Sequence, residues 1–332
     1  MFSRYRRSGI LAATLAAVCV GGPSLANAGF LNDYNLIVTG TLTTGAEVEG
    51  RALVGNLNIQ NNTNIAVKNS SSYAGTNALV VGGAISGSHN QESVKVKGGN
   101  VLLAGSNPNY SGNSNGAVIA LTGGGTITQN SAAASVILHD AEAEMNWVSQ
   151  TFAGMAANST VVAPTNNQPG GVYFNAVANA PDGIAVFRVD GSLFSSQYSQ
   201  NYFLNTAAGV STYVINVLGT SVNFNHGNFL DGFKLAGGSG NPNVLFNFLD
   251  ATSIVGTNNV YGSILAPEAT VTSLSTQQGG LYVKNFTQTQ EVHLPPFAGN
   301  PPPAVPEPSS LALLALGLPA GLAFALRRRR TR

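Results

Sequence analysis

Asn35-Leu36-Ile37-Val38-Thr39-Gly40 is a short run of apolar β-formers that ends at a glycine, and its pattern recurs along the chain. Four later apolar triplets are each soon followed by glycine or a polar turn: Ala52-Leu53-Val54, Leu79-Val80-Val81, Val101-Leu102-Leu103 and Val118-Ile119-Ala120. Their starting positions are 27, 22 and 17 residues apart. Short strands at such spacing fit the coils of a β-solenoid, which stack to share one core. The sequence therefore predicts a mainly β fold, a right-handed β-solenoid or β-helix-like domain, with a β-sandwich as the alternative.

The second half of the chain continues the β pattern. Strands are predicted at 184–189, 213–218, 244–248 and 261–266. Asparagines recur within or beside these segments: Asn216, Asn223, Asn225 and Asn247. In a solenoid, inward asparagines can hydrogen-bond from one coil to the next, although asparagine is also a common turn residue.

One stretch, from 140 to about 156, favours a helix instead. Its apolar residues share one face at helical spacing: Met145, Val148, Phe152 and Met155. Asp140 is the predicted N-cap, and Asn158 and Ser159 are expected to end the helix. The single tryptophan, Trp147, lies beside the apolar stripe. We therefore expect one flanking α-helix that lies along a sheet with this stripe inward.

The first 28 residues have the organisation of a secretory signal peptide. Three arginines (Arg4, Arg6 and Arg7) precede an apolar segment at 10–20, and Ala26 and Ala28 form an A-x-A cleavage site. Cleavage there leaves a domain that begins at Gly29, and we expect this domain to extend over 29–299.

The C-terminus carries a second targeting segment, 306–332, behind a Pro-rich linker at 300–305. It consists of a tripeptide, an apolar run at 311–326 and an arginine cluster: Pro306, Glu307, Pro308, Arg327, Arg328, Arg329 and Arg330. The run is marginal for a membrane span, which needs about 20 apolar residues, and the arginines favour the cytoplasmic side. A short C-terminal hydrophobic helix, inserted transiently in the inner membrane, is therefore predicted; a permanent tail anchor is the alternative. The segment resembles the PEP-CTERM sorting signal of Gram-negative bacteria, which implies processing by an exosortase-type enzyme.

Charge and cysteine content narrow the possible partners. Residues 29–304 contain seven basic and thirteen acidic residues, a formal charge of 7 − 13 = −6. No basic stripe is available for phosphates, so nucleic acid is excluded as a partner. The same residues contain no cysteine, so the stability of this exported domain has to come from its core.

Few residues suggest chemistry. Glu291 and His293 would share one face of a strand and are the candidate ligand pair, although hydrogen bonding to each other or to a neighbouring coil is the favoured explanation. Asp140, Glu142 and Glu144 resemble a carboxylate cluster, but acidic residues also suit a helix start. We therefore predict no catalytic, cofactor-binding or metal-binding residues. Three T-x-T segments could stack into a rank of hydroxyls: Thr41-Leu42-Thr43, Thr126-Ile127-Thr128 and Thr270-Val271-Thr272.

Three landmarks of the body resemble the choice-of-anchor A family. They are the opening Tyr34-Asn35-Leu36-Ile37-Val38 with Val48-Glu49-Gly50-Arg51 and Gly55, the segment Val260-Tyr261-Gly262-Ser263-Ile264-Leu265-Ala266-Pro267, and the closing Glu291-Val292-His293-Leu294-Pro295-Pro296-Phe297-Ala298-Gly299. This resemblance implies a surface or adhesin-like module and brings no catalytic residues.

Together these features predict an exported, non-enzymatic protein of the cell surface or extracellular matrix, associated with exopolysaccharide or with copies of itself. A polysaccharide-active enzyme is the main alternative; it would have to draw on Arg51, Arg188 or Asp190. An ice-binding protein that uses the T-x-T hydroxyls is a further alternative.

Overall fold

The computed structural model describes residues 29–87, 93–108, 118–165 and 167–301, and consists mainly of short parallel strands. The two α-helices of this part are α1 (Phe30–Asp33) and α2 (Ser131–Gly154). The strands are β1 (Leu36–Thr44), β2 (Ala52–Ile59), β3 (Thr63–Ile65), β4 (Asn77–Val81), β5 (Ile85–Gly87), β6 (Val94–Val96), β7 (Asn100–Leu103), β8 (Ile119–Leu121), β9 (Ile127–Gln129), β10 (Thr160–Val162), β11 (Gly170–Asn175), β12 (Ile184–Asp190), β13 (Ser199–Asn205), β14 (Thr212–Leu218), β15 (Ser221–Phe224), β16 (Asn228–Phe229), β17 (Val244–Asn247), β18 (Ser253–Gly256), β19 (Val260–Tyr261), β20 (Ser263–Thr272), β21 (Gln277–Gln278), β22 (Leu281–Thr287) and β23 (Val292–His293).

These strands stack as the coils of a three-sided solenoid. The first side is the sheet path β12-β14-β17-β20-β22-β1-β2-β4-β7-β9. The second side is formed by β15 and β18, the C-terminal halves of β20, β22, β1 and β2, and β5. The third side contains β19-β21-β23, β3-β6-β8 and, towards one end, β10-β11-β13-β16. The predicted solenoid-like architecture is thus confirmed in its mainly β, parallel character.

The coils do not stack in chain order. Strand β1 lies between β22 and β2 and pairs in parallel with both. The chain therefore starts in the middle of the stack and builds outward to β9. Helix α2 then leads to the other end, near β12, from which the later coils return to β1.

The first side is mostly apolar on both of its faces. Residues such as Leu36 and Val38 point into the solenoid core, while the intervening Ile37 packs against α2. Leu53, in the next coil, takes the same helix-facing position. Strands buried on both faces read as uninterrupted apolar runs, which explains why the triplets lack polar alternation.

The fifth predicted triplet, 118–120, does not continue this stack. The coil after β7 contributes Ile127, which pairs with Val101, whereas Ile119 pairs with Val94 on the third side. The last triplet therefore lies on a different side from the other four, and its sequence does not distinguish it because strands on different sides bury equally apolar residues.

Helix α2 is longer than the sequence suggested. It begins at Ser131, and the N-cap is Asn130, whose side chain accepts a hydrogen bond from Ala133 N at 3.0 Å. The predicted start near 140 and the N-cap role of Asp140 are wrong, because Asn130 already caps an alanine-rich first turn. The helix ends at Gly154, before the predicted stop. Its buried face does contain Met145, Val148 and Phe152, while Trp147 packs at the margin.

Polar side chains fasten α2 to the first side. Asn247 donates to Ser149 O at 2.9 Å and to Asn216 Oδ1 at 2.8 Å, and Ser149 Oγ donates to Asn247 Oδ1 at 2.6 Å. Asn216 in turn donates to Phe152 O at 2.8 Å. The expected hydrogen bonding between asparagines of neighbouring coils is therefore present at Asn216 and Asn247, whereas Asn225 is exposed.

Candidate functional site

The second side of the solenoid is a regular surface that neither helix covers. In six of its seven strands a core-facing residue lies between two outward residues; in β5, Ile85 aligns with the core-facing Leu57, and Ala84 and Ser86 flank it. The register aligns the outward residues in two columns. One column contains Ser221, Ser253, Thr270, Asn285, Thr41 and Asn56, and the other contains Asn223, Val255, Thr272, Thr287, Thr43, Asn58 and Ser86. We call this surface the polar side.

The polar side is uncharged, and all of its outward residues except Val255 and Ala84 offer a hydroxyl or an amide. These residues are half-buried or exposed, whereas the residues between them, such as Leu42, Val271 and Phe286, are buried. Adjacent strands lie about 4.8 Å apart, so seven strands extend over about 29 Å. The surface therefore presents hydrogen-bonding groups at a nearly constant spacing on a rigid β scaffold.

The T-x-T prediction is partly correct. Thr43 aligns with Thr287, and Thr287 aligns with Thr272, so three threonines from consecutive coils form a continuous row. The third motif lies elsewhere, because Thr128 pairs with Leu102 on the first side. Only two of the three predicted motifs therefore belong to one surface.

Two asparagines that the sequence did not single out hold the edge of this surface. Asn285 Oδ1 accepts a hydrogen bond from Thr41 N at 2.9 Å, and its Nδ2 donates to Thr270 Oγ1 at 3.2 Å. Asn56 Oδ1 similarly accepts from Ala84 N at 2.9 Å. These amides satisfy backbone groups where the register shifts between the first and second sides. The repeated Asn-apolar-x spacing of 285–287 and 56–58 is the signal that could have identified them.

Glu291 and His293 lie together on the third side. His293 Nε2 is 2.7 Å from Glu291 Oε2 and 3.8 Å from Glu49 Oε1, which belongs to the neighbouring coil. His293 Nδ1 is 2.9 Å from Gln278 Nε2 on the other side. This arrangement fits a neutral imidazole that accepts from the Gln278 amide and donates to Glu291. The pair thus links adjacent coils, and Glu49 also contacts the Lys68 ammonium.

The three acidic residues of α2 lie in mid-helix and diverge. Asp140 and Glu142 are exposed, whereas Glu144 is half-buried and its Oε1 accepts a hydrogen bond from Leu31 N at 3.1 Å. Burial raises the pKa of the Glu144 carboxyl, and this effect outweighs the hydrogen bonds from Leu31 and Phe30. Glu144 therefore anchors α1 to α2.

The residues considered for an enzyme have other contacts. The Arg51 guanidinium lies 4.2 Å from the Tyr34 ring centroid, and its Nε donates to Asn77 O at 2.8 Å. Asp190 Oδ1 accepts from Ser192 N at 2.8 Å and caps a short 3₁₀ turn. Arg188 is exposed on β12. Within the described ranges, no group of three or more His, Cys, Asp or Glu side chains could hold a metal ion.

Both predicted targeting segments fall outside the described residues. They include the cleavage-site residues Ala26 and Ala28, and the C-terminal segment 306–332 with its apolar run at 311–326. In the part of the chain that the structure describes, neither helix combines the length and the apolar character that crossing a membrane requires.

Comparisons with known proteins cover the targeting tail and the body. A model of the PEP-CTERM protein-sorting motif matches residues 304–330 and confirms the predicted sorting signal. No curated protein matches the chain. Two solved structures of an ice-binding protein (LeIBP) from Arctic yeast, one of them glycosylated, are similar to it, with TM-scores of 0.31 and 0.30. Each is 14% identical to this chain, of which it covers 83%, and 96% of its own chain is covered.

The body itself matches a family model that does not carry the name choice-of-anchor A. This model, described as "Putative Ice-binding-like adhesive domain", spans residues 27–294. The chain therefore belongs to this ice-binding-like adhesive family.

Proposed function

We propose that this is an exported, non-enzymatic protein of the cell surface that adheres through its polar side to hydrated exopolysaccharide. The PEP-CTERM motif supports export to the surface and processing by an exosortase-type enzyme. The adhesive description of the family supports a role in attachment. In this proposal the apolar run at 311–326 holds the chain in the inner membrane only until the tail is removed.

The polar side is the observation that carries the proposal. Its hydroxyls and amides can replace the water that hydrates a polysaccharide, and each exchange contributes little by itself. Seven coils repeat these contacts on one rigid surface, so weak interactions along a long chain add together. The surface is uncharged, and two of its asparagines, Asn285 and Asn56, are already fixed by backbone contacts, which limits the conformational entropy lost on binding.

The test changes the centre of the threonine row. In the double variant Thr43→Lys and Thr287→Lys, two long charged side chains would interrupt adjacent coils of the polar side. We expect sedimentation with insoluble exopolysaccharide from the producing cells to fall by roughly tenfold or more. The matched control is Thr128→Lys, which changes an exposed threonine on the first side. Equal retention of the double variant and the wild type would refute the proposal, as would polysaccharide cleavage that is lost on changing Arg51, Arg188 or Asp190.

Ice is the second candidate ligand of the same surface. The row formed by Thr272, Thr287 and Thr43 favours it, because strand-spaced hydroxyls can order water in a regular array. Thermal hysteresis separates the two candidates. Hysteresis that disappears in the double variant, together with no sedimentation of the wild type on polysaccharide, would replace the adhesion proposal with ice binding.

A further inference from the structure

A pocket on the third side lies between two of its sheets that are not hydrogen-bonded to each other. Strand β16 ends one sheet and β19 begins the other, and the pocket between them has a volume of about 330 Å³. This volume is at the lower end of the range for small-ligand sites, about 300–1,000 Å³. The site is separate from the polar side, which is built from other strands.

Lys234 places a positive charge in this pocket. Its ammonium lies 5.4 Å from the centroid of the Tyr261 ring, and among the described residues it forms no ion pair. The backbone around it is fixed, because Lys234 N donates to Leu230 O at 2.8 Å and the preceding Phe233 is fully buried. Residues 29–304 carry a net negative charge, whereas this pocket contains a positioned ammonium group. The pocket is therefore suited to an anionic ligand.

Amide side chains complete the lining. Asn258 Nδ2 donates to Gly227 O at 2.8 Å, and Asn259 Oδ1 accepts from Ser275 Oγ at 2.7 Å, so both amides are held in place. Asn228 is exposed beside them. A few fixed polar groups around one aromatic ring and one cation are suited to a ligand that combines hydroxyls, an apolar face and a negative charge.

An aromatic strip leads away from the pocket along the same side. Leu230 lines the pocket and donates its backbone N–H to Tyr202 O at 2.9 Å. This hydrogen bond places Leu230 beside Phe203 on the outward face of the sheet. The rings of Phe203 and Tyr173 stack with centroids 5.1 Å apart and an interplanar angle of 12°. Tyr173 is 42% exposed, and Val162, its partner on β10, is 55% exposed. The strip crosses four strands, a length of about 14 Å.

We infer that the pocket binds an anionic sugar unit, with the Lys234 ammonium facing its carboxylate or sulfate and Tyr261 beneath its apolar face. The neighbouring units of the same polysaccharide pack on Phe203 and Tyr173. This inference deepens the adhesion proposal, because it names acidic polysaccharide as the ligand class, but it uses residues that the polar side does not contain.

The experiment titrates the exported protein with soluble oligosaccharides and follows binding by calorimetry. The probes are an oligogalacturonate, a sulfated oligosaccharide, a neutral oligosaccharide of the same length, and acetate and sulfate alone. We expect Lys234→Gln to weaken binding of the acidic probe roughly tenfold and to reduce its dependence on salt. The control Lys95→Gln removes an exposed lysine of the same side, outside the pocket, and should leave binding unchanged.

Chain length tests the aromatic strip. Tyr173→Ser should weaken binding of a long acidic oligosaccharide and leave that of a disaccharide unaffected. Comparison of the uronate and the sulfated probe identifies the anionic group. The inference is overturned if the wild type binds no acidic probe, if the neutral probe or the free anions bind equally well, or if Lys234→Gln behaves as Lys95→Gln does. The Thr43→Lys and Thr287→Lys variant should retain this binding, so failure of one proposal is distinguishable from failure of the other.

Discussion

The attachment of α2 to the first side can be tested through Asn247→Ala. Asn247 is 1% exposed and participates in three hydrogen bonds, two with Ser149 and one with Asn216. The substitution removes all three and leaves the Ser149 hydroxyl and the Asn216 carbonyl oxygen buried without these partners. Neither group is accessible to water, because Ser149 is 0% and Asn216 is 3% exposed.

The magnitude follows from these contacts. A buried hydrogen bond contributes about 1 kcal/mol net, so three contribute about 3 kcal/mol. Partial relaxation of α2 lowers this cost, whereas the orphaned polar groups raise it. We therefore expect the free energy of unfolding to fall by about 3 kcal/mol, a large part of the stability of a typical domain.

Equilibrium urea unfolding, followed by Trp147 fluorescence, measures this change. Trp147 is the only tryptophan of the chain and lies on α2, two residues before Ser149. The matched control is Asn205→Ala, which also breaks a bond between asparagines of adjacent strands, from Asn205 Nδ2 to Asn175 Oδ1 at 2.7 Å. This pair is exposed, so water replaces the lost bond and the control should change stability by less than about 0.5 kcal/mol. Equal losses in the two variants would refute the claim that burial gives the Asn247 network its strength.

Two further predictions concern stability. Burial raises the pKa of Glu144 above its ordinary 4.5, so the folded chain binds this proton more tightly than the unfolded chain, and stability falls as the pH rises through the window above 4.5. Thermal unfolding of the unexported chain, in which Ala28 still precedes Gly29, measures this effect. The Glu144→Gln variant should lack this part of the decline in stability. Parallel profiles of Tm against pH for the variant and the wild type would contradict the prediction. At Gly55 an added Cβ would come within 3.0 Å of the carbonyl oxygens of Thr39 and Gly40, so Gly55→Ala should lower the free energy of unfolding by about 1–3 kcal/mol. At Gly154 an added Cβ would meet nothing within 4 Å, so Gly154→Ala should not destabilise the fold. Calorimetry measures the Tm of both variants. A similar Tm for the two would show that the backbone of β1 near Gly55 has room to relax.

The parts of the fold that were predictable are those encoded locally. Triplets such as 52–54 are apolar because the core and α2 bury both faces of the strand, and this pattern is visible in sequence. The apolar stripe of α2 was visible for the same reason. The helix start was not, because Asp140 and Asn130 are both good N-caps and only the packing of Ala134 under the first turns favours the earlier one.

The stacking order and the composition of the polar side were not predictable. Apolar residues such as Val101 and Ile119 are alike in sequence, yet one lies on the first side and the other on the third. Some positions of the polar side also hold an amide side chain where the T-x-T pattern has a hydroxyl. Asn285, for example, aligns with Thr270. Register between distant segments depends on which coils meet, and no local signal contains that information.

The placement of β1 between β22 and β2 determines whether the polar side exists as one surface. Thr43 and Thr287 are neighbours only because β1 pairs with β22, two strands that are far apart in sequence. The same pairing buries Leu42 beside Phe286 below the threonine row. Contacts of such sequence separation form late in folding because loop closure is costly. The central part of the polar side can therefore bind only after β22 has closed against β1, so ligand binding by this surface reports the completed fold. The pocket built within 228–261 differs, because its formation depends chiefly on coils that are close in sequence.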